Sequence, residues 1–253
     1  MTPRSERTPM NSSGWFLDSG QLNEIAKWRE VIGGITTNQV ILFSKEGIYD
    51  IPTHMAAMCE LVGDNFPISL ELPDSAASVD EMIGLAQYYH DRHPTNTVIK
   101  VPIIPDDPKG LKVIALLAGA GIRTNATIGI NAGQLFLAAE AARKFAGEGA
   151  CYISLFWGRA QESFERGESQ APQDVLDATL TYLANHQLDT RIIIGSIRQP
   201  QHVIDAFAGG ADIVTVPPKI FEKIMFTTRG KETLDEFDAA YRNVQNDPRL
   251  ILR

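Results

Sequence analysis

Cysteine is scarce in this chain: Cys59 and Cys151 are the only two in 253 residues, far apart and without metal-type spacing. That argues against a disulfide framework or a zinc ribbon and fits two reduced thiols in a cytoplasmic protein. No apolar run approaches the length of a membrane span. No GxGxxG follows the first strand-like run, and no GxxxxGK[ST] occurs anywhere, so the common dinucleotide and P-loop cradles are missing. Basic residues are outnumbered, 23 Lys and Arg against 31 Asp and Glu, for a formal net charge of −8. A nucleic-acid or anionic-membrane binder would show the opposite balance. Phosphorylated small molecules stay open, because a few local arginines can hold a phosphate on an acidic protein. Residues 1–13, MTPRSERTPMNSS, are polar, carry two prolines and lack the apolar core of a signal peptide. They are expected to form a disordered tail, with residues 14–253 making one domain.

What is present is alternation. Short β-branched runs are expected to form strands at 14–19, 33–38, 66–72, 97–103, 122–128, 150–157, 190–197 and 211–216. Amphipathic runs between them predict helices at 20–32, 45–63 (with a turn near Ile51-Pro52), 78–93, 108–121, 132–149, 171–187, 200–210 and 217–226, with a last one over 231–246. Ser78 followed by Glu81 is a capping box, and Pro172 sits in a first helical turn. Strands apolar on both faces belong to a sheet covered on both sides. Eight βα units in about 250 residues point to an α/β fold, a closed (β/α)8 TIM barrel with an extra C-terminal helix. A doubly wound open sheet is the alternative.

In such a barrel the strand ends gather the chemistry. Strand one ends in Asp18, strand two in Asn38 and strand three in Glu71, and strand four carries Lys100 inside an apolar run. Strand five offers Asn125 and Thr127, strand six Ser154 and then Arg159, and strand seven Ser196 and Arg198. Strand eight ends without charge. Each residue alone has an ordinary explanation as a cap, turn or rim residue. Together they gather one lysine, two carboxylates and two arginines at one rim, which packing does not explain. A lysine among apolar walls can be held neutral by desolvation and attack a ketone to form a Schiff base. The resulting iminium accepts the electrons of a breaking C–C bond, which is class I aldol chemistry without metal or cofactor. Asp18 and Glu71 are the available proton carriers, and Arg159 and Arg198 are the phosphate forks. The five histidines all fall on predicted helices or their ends, and His90 and His93 read as solvated polar residues rather than metal ligands.

These residues bring a family into view. The pieces FLDS, GITTN, SLEL, VIKVP, GIRTNATI, AGQLFLAAEA, YISLFWGR and IIIGSIRQPQHVIDAFAGGADIVTVPPK lie in order between residues 14 and 225. The chain resembles transaldolases, most closely the small group that includes fructose 6-phosphate aldolase. The resemblance implies Lys100 as the Schiff-base lysine and Asp18 as the acid/base. It implies that Glu71 and Thr127 hold a catalytic water, that Asn38, Asn125, Ser154 and Phe156 bind substrate, and that Arg159, Ser196 and Arg198 bind phosphate. Fructose 6-phosphate aldolase would have Gln where Glu71 stands and Tyr where Phe156 stands, so these two look transaldolase-like. Departures lie beside the site: Gln39 for a turn-setting proline, Gly129, Ile130 and Asn131 after strand five, Leu155 and Trp157 around strand six. The implied function is transfer of a dihydroxyacetone unit between sugar phosphates. The alternatives are a simple or specialised biosynthetic ketose-phosphate aldolase and, from another class, a non-catalytic sugar-phosphate-binding protein. The C-terminal helix carries Leu234, Phe237 and Tyr241 on one face. It packs either on its own barrel or, as the resemblance implies, in a ring-shaped homo-oligomer of five subunits or paired rings.

Overall fold

The β-branched runs become eight short parallel strands that close on themselves in chain order. This is seen in a computed structural model that describes residues 13–251. The strands are β1 (Trp15–Asp18), β2 (Gly34–Thr36), β3 (Ile68–Glu71), β4 (Thr97–Pro102), β5 (Thr124–Gly129), β6 (Tyr152–Phe156), β7 (Arg191–Gly195) and β8 (Ile213–Val216). Helices follow them: α1 (Leu22–Trp28), α2 (Ile51–Val62), α3 (Val79–His90), α4 (Lys109–Gly119), α5 (Ala132–Ala142), α6 (Trp157–Glu165), α7 (Pro172–Asn185), α8 (Pro200–Ala208) and α9 (Pro218–Met225). The last helix is α10 (Thr228–Val244). The closed eight-stranded parallel sheet with its ring of helices is a (β/α)8 TIM barrel. The expected tail lies outside the described residues except for Ser13. Among the described residues, no helix is long and apolar enough to cross a membrane.

Two apolar layers hold the barrel. The larger packs the outward strand residues, such as Leu17, Ile99 and Ile153, against the helices. The smaller lies inside the barrel and consists of Phe16, Val98, Tyr152, Ile193 and Ile213. Side chains two apart on a strand share a face. Hence the layer above this plug is Asp18, Lys100, Ser154, Gly195 and Thr215, each two residues further along its strand. The hydrophobic floor therefore lifts the polar layer to the C-terminal mouth. Gly34 is required by the plug, because a Cβ there would lie 2.4 Å from the Phe16 ring.

Local signals account for most element ends. Ser78 accepts from the Glu81 amide, and the Glu81 carboxylate accepts from the Ser78 amide, which completes the predicted box on α3. Such a cap stabilises a helix by about 1 kcal/mol. Three expectations are corrected. The predicted helix 45–63 starts late: a π-helical turn, Val40–Lys45, precedes a loop, and α2 begins at Ile51 with Asp50 as its cap. The helix expected over 132–149 stops at Ala142. Trp157 is not in strand six but opens α6, a helix the polar stretch GRAQESFE did not announce. Cys59 and Cys151 are both free thiols, and burial pushes the Cys59 thiol up to about 11.

Candidate active site

The register of β3, β4 and β5 aligns Glu71, Lys100 and Asn125 in one row across the sheet. Lys100 is 3% exposed. Its Nζ donates to the Thr37 carbonyl oxygen at 3.1 Å and lies 3.5 Å from Glu71 Oε2. The Phe156 ring stands 5.9 Å from the same nitrogen. On β1, Asp18 Oδ1 accepts from Thr36 Oγ1 at 2.7 Å, and Thr36 in turn contacts Thr215 Oγ1 at 2.5 Å. Burial pushes the Asp18 and Glu71 carboxyls above their usual range, while the nearby Lys100 partly opposes the rise in both. Two carboxyls with raised affinity for a proton thus face one buried amine.

These groups share a cavity of about 320 Å³ at the mouth of the barrel. Asp18, Asn38, Glu71, Lys100, Ser154, Phe156, Arg159 and Ser196 all line it, so eight of the eleven residues singled out in the sequence meet in one space. Three stand back from it. Asn125 is fully buried, donating to Ser69 Oγ at 3.2 Å and accepting from Ser154 Oγ at 2.7 Å, and so fixes Ser154 from behind. Thr127 is buried, and its Oγ1 has no hydrogen-bond partner among the described residues. Arg198 sits at the edge, where its Nη1 donates to Glu162 Oε1 in close contact. His90 and His93 lie at the end of α3 and in the turn that leads into β4, at the opposite end of the strand from the cavity, whose lining includes neither. They are half-buried rather than solvated, and burial lowers the His90 pKa.

Sequence reasoning missed several members. Thr36 and Thr37 position Asp18 and Lys100, and their doublet in TTN was read only through Asn38. Lys45 reaches the cavity from the π-helical turn. That turn is anchored by Asn38, whose Oδ1 accepts from the Ile41 amide at 2.9 Å, and by Glu46, which accepts from Ser19 Oγ and the Gly20 amide. Gln39, the departure from proline, donates through Nε2 to the Leu72 carbonyl oxygen at 2.9 Å and so ties the turn to the residue after Glu71. Ile128 lines the cavity at φ 66°, a left-handed backbone that a β-branched residue adopts only under strain. A break in the β5–β6 register between Ala126 and Gly129 accompanies it. Ser196 is also left-handed, at φ 56°.

A (β/α)8 barrel whose mouth holds a buried lysine and two desolvated carboxyls, with arginines at its edge, has the parts for carbonyl and proton-transfer chemistry. Comparison with known proteins narrows the class. The family model for transaldolase/fructose-6-phosphate aldolase matches residues 15–249. Relatives named probable transaldolase share 33% identity over 238 residues in an Exiguobacterium species, covering 92% of this chain and 99% of the relative. One from Petrotoga mobilis shares 31%, covering 83% of this chain and 86% of its own, and one from Nitrosopumilus maritimus shares 32%, covering 88% and 91%. The chain belongs to the transaldolase/fructose-6-phosphate aldolase family.

Proposed function

We propose that the protein is a transaldolase that moves a dihydroxyacetone unit from a ketose phosphate, such as sedoheptulose 7-phosphate or fructose 6-phosphate, to an aldose phosphate. The observation that carries this reading is Lys100, buried at the cavity floor within 3.5 Å of Glu71 and beside Asp18. In its neutral form the amine attacks the ketose carbonyl, and loss of water gives the iminium. Asp18 takes the proton from the hydroxyl on the far side of the breaking bond, and the shorter aldose leaves. The electron pair passes into the iminium and leaves an enamine, which attacks the acceptor aldehyde while Asp18 returns the proton. A carboxyl raised by burial suits this exchange, because it releases and recaptures a proton at modest cost.

Glu71 and Thr127 are assigned the water that forms and hydrolyses the imine. The buried Thr127 hydroxyl without a protein partner is a suitable anchor for one. Asn38 and Ser154 meet the hydroxyls of the donor unit, with Asn125 holding Ser154 in place, and Phe156 closes the wall beside Lys100. Arg159, Ser196 and Arg198 receive the phosphate. Glu71 and Phe156, rather than Gln and Tyr, support transfer over simple aldol cleavage.

Two further assignments go with this reading. The free thiols suit a reducing compartment, the cytoplasm. None of the described residues of α10 is buried, and Leu234, Phe237 and Tyr241 are exposed along it. This apolar stripe fits a homo-oligomer in which α10 packs on a neighbouring copy.

Borohydride trapping with fructose 6-phosphate or sedoheptulose 7-phosphate, read by peptide mass spectrometry, tests the mechanism. The expected result is an adduct on the peptide carrying Lys100, with transfer to an added aldose phosphate. Release of dihydroxyacetone by the unreduced enzyme in the absence of an acceptor would make the protein an aldolase. A folded protein that binds ketose phosphates and forms no adduct would be a binder.

A further inference from the structure

The arginines assigned to phosphate already hold an anion of the protein's own. Glu162 lies one turn after Arg159 on α6. Its Oε2 accepts from Arg159 Nη1 at 3.1 Å, and its Oε1 accepts from Arg198 Nη1 in closer contact. The bond from Arg198, and then that from Arg159, holds the Glu162 carboxyl below the usual carboxylate range. Each carboxylate oxygen thus takes one guanidinium, as two oxygens of a phosphate monoester would.

The two arginines are not placed alike. Arg159 lines the cavity, whereas Arg198, bound to Glu162, does not. Gly158 makes room for this placement: a Cβ there would lie 2.7 Å from Arg198 Nε and 2.5 Å from the Ser196 carbonyl oxygen. The Gly158 amide donates to that same carbonyl at 3.2 Å, which locks the first turn of α6 to the end of β7. The three side chains therefore form a unit of net charge +1 at the mouth, one charge short of what two arginines alone would offer to a phosphate.

We propose that Glu162 is a built-in competitor for the substrate's phosphate: its carboxylate draws Arg198 off the cavity, and a phosphate monoester binds by taking Arg198 from it. The proposal rests on the sugar-phosphate reading of the site. Exchange of one anion for another on the same guanidinium leaves the arginine paired throughout, so phosphate departs without exposing an unpaired cation. It weakens the hold on every phosphorylated ligand alike, donor, product and acceptor. Such uniform weakening raises KM while leaving the chemical step unchanged. Glu162 is thus a positioning residue, acting through Arg198 and not on the reacting atoms.

The test is a calorimetric titration of inorganic phosphate into the full chain, wild type against Glu162→Gln. Removing one partly exposed charge that competes for the arginines is expected to tighten phosphate about fivefold. A residue that merely supports the fold would not produce a gain. In an Arg198→Ala background the same substitution is expected to give a smaller gain than in the wild type, because only the contact of Glu162 with Arg159 remains to be released. Equal or weaker phosphate binding by the folded Gln variant would overturn the proposal. If that variant fails to fold, Glu162→Asp, too short to keep both arginines, is expected to tighten phosphate in the same direction, and unchanged or weaker binding would again overturn it. The two readings separate cleanly. Tighter phosphate binding without a Lys100 adduct in the wild type would sink the transfer mechanism and leave this competitor standing. A Lys100 adduct with no gain in phosphate affinity would do the reverse.

Discussion

Asp18→Asn offers the sharpest check on the electrostatics of the site. The floor of the cavity holds one lysine and two carboxyls, and burial is the main cause that raises the proton affinity of both carboxyls. The amide has nearly the same volume, so no void forms. Its oxygen can keep the 2.7 Å bond from Thr36, and Lys100 keeps Glu71 at 3.5 Å as a balanced pair. What disappears is the burial of a second negative charge. Relief of this kind at a functional site typically stabilises by about 0.5–2 kcal/mol. For a chain of this size that corresponds to a melting temperature higher by about 1–8 °C.

The gain must depend on pH in a defined direction. The unfolded chain releases the Asp18 proton near the ordinary value of 3.8, and the folded chain holds it to higher pH. The folded state binds more protons in that window, so the wild type loses stability as pH rises through the folded pKa. The amide cannot titrate. The stability difference should therefore be small near the ordinary carboxylate value and grow as pH rises through the folded pKa. Calorimetric melts of both proteins across this range decide it. An amide variant less stable at neutral pH, or an advantage constant with pH, would refute the account of Asp18 as a desolvated carboxylate. Transfer activity in the same variant should fall by about 10²- to 10⁴-fold, the usual contribution of a positioned acid/base.

Three other outcomes are expected. Lys100→Met should abolish borohydride trapping and reduce turnover at least ~10³-fold while the variant still binds inorganic phosphate, measured by calorimetry, since Arg159 and Arg198 are untouched. Gly158→Ala should cost about 1–3 kcal/mol in denaturant unfolding and raise KM for phosphorylated substrates more than it lowers kcat, because the new Cβ would press on the Ser196 carbonyl and Arg198. Phe237→Glu should shift the mass seen by light scattering towards the monomer, if α10 joins subunits as proposed; an unchanged mass would leave the exposed stripe of α10 outside any subunit contact.

Much of the barrel was legible because its signals are local. Apolar β-branched runs stop at polar residues, and Lys100 stands out in VIKVP because an ammonium rarely interrupts such a run. The rest depended on features without a sequence period. α6 escaped notice because no side chain caps it at Phe156 and its first residue, Trp157, continues the apolar run of β6. With α6 unseen, Glu162 could not be placed beside Arg159. The π-helical turn has no 3.6-residue stripe, so Lys45 was assigned to the wrong helix. α10 begins three residues early because Thr227 accepts from the Gly230 amide at 3.0 Å, a cap that the charged sequence around it disguised. Ser196 and Ile128 bend at residue types that give no warning of a left-handed backbone. The site itself was readable as a set of strand ends, but its hydrogen-bond order, Thr37 to Lys100 and Thr36 to Asp18, needed three dimensions.

The apolar plug of Phe16, Val98, Tyr152, Ile193 and Ile213 has a kinetic meaning. It stoppers the barrel below Lys100, so that among the described residues the mouth is the route in and out. In the proposed transfer, the first aldose must leave by the path through which the second arrives, while the three-carbon unit waits on the lysine. Traffic is therefore strictly alternating. Double-reciprocal plots at several acceptor concentrations should run parallel, and surplus acceptor should jam the doorway against the donor.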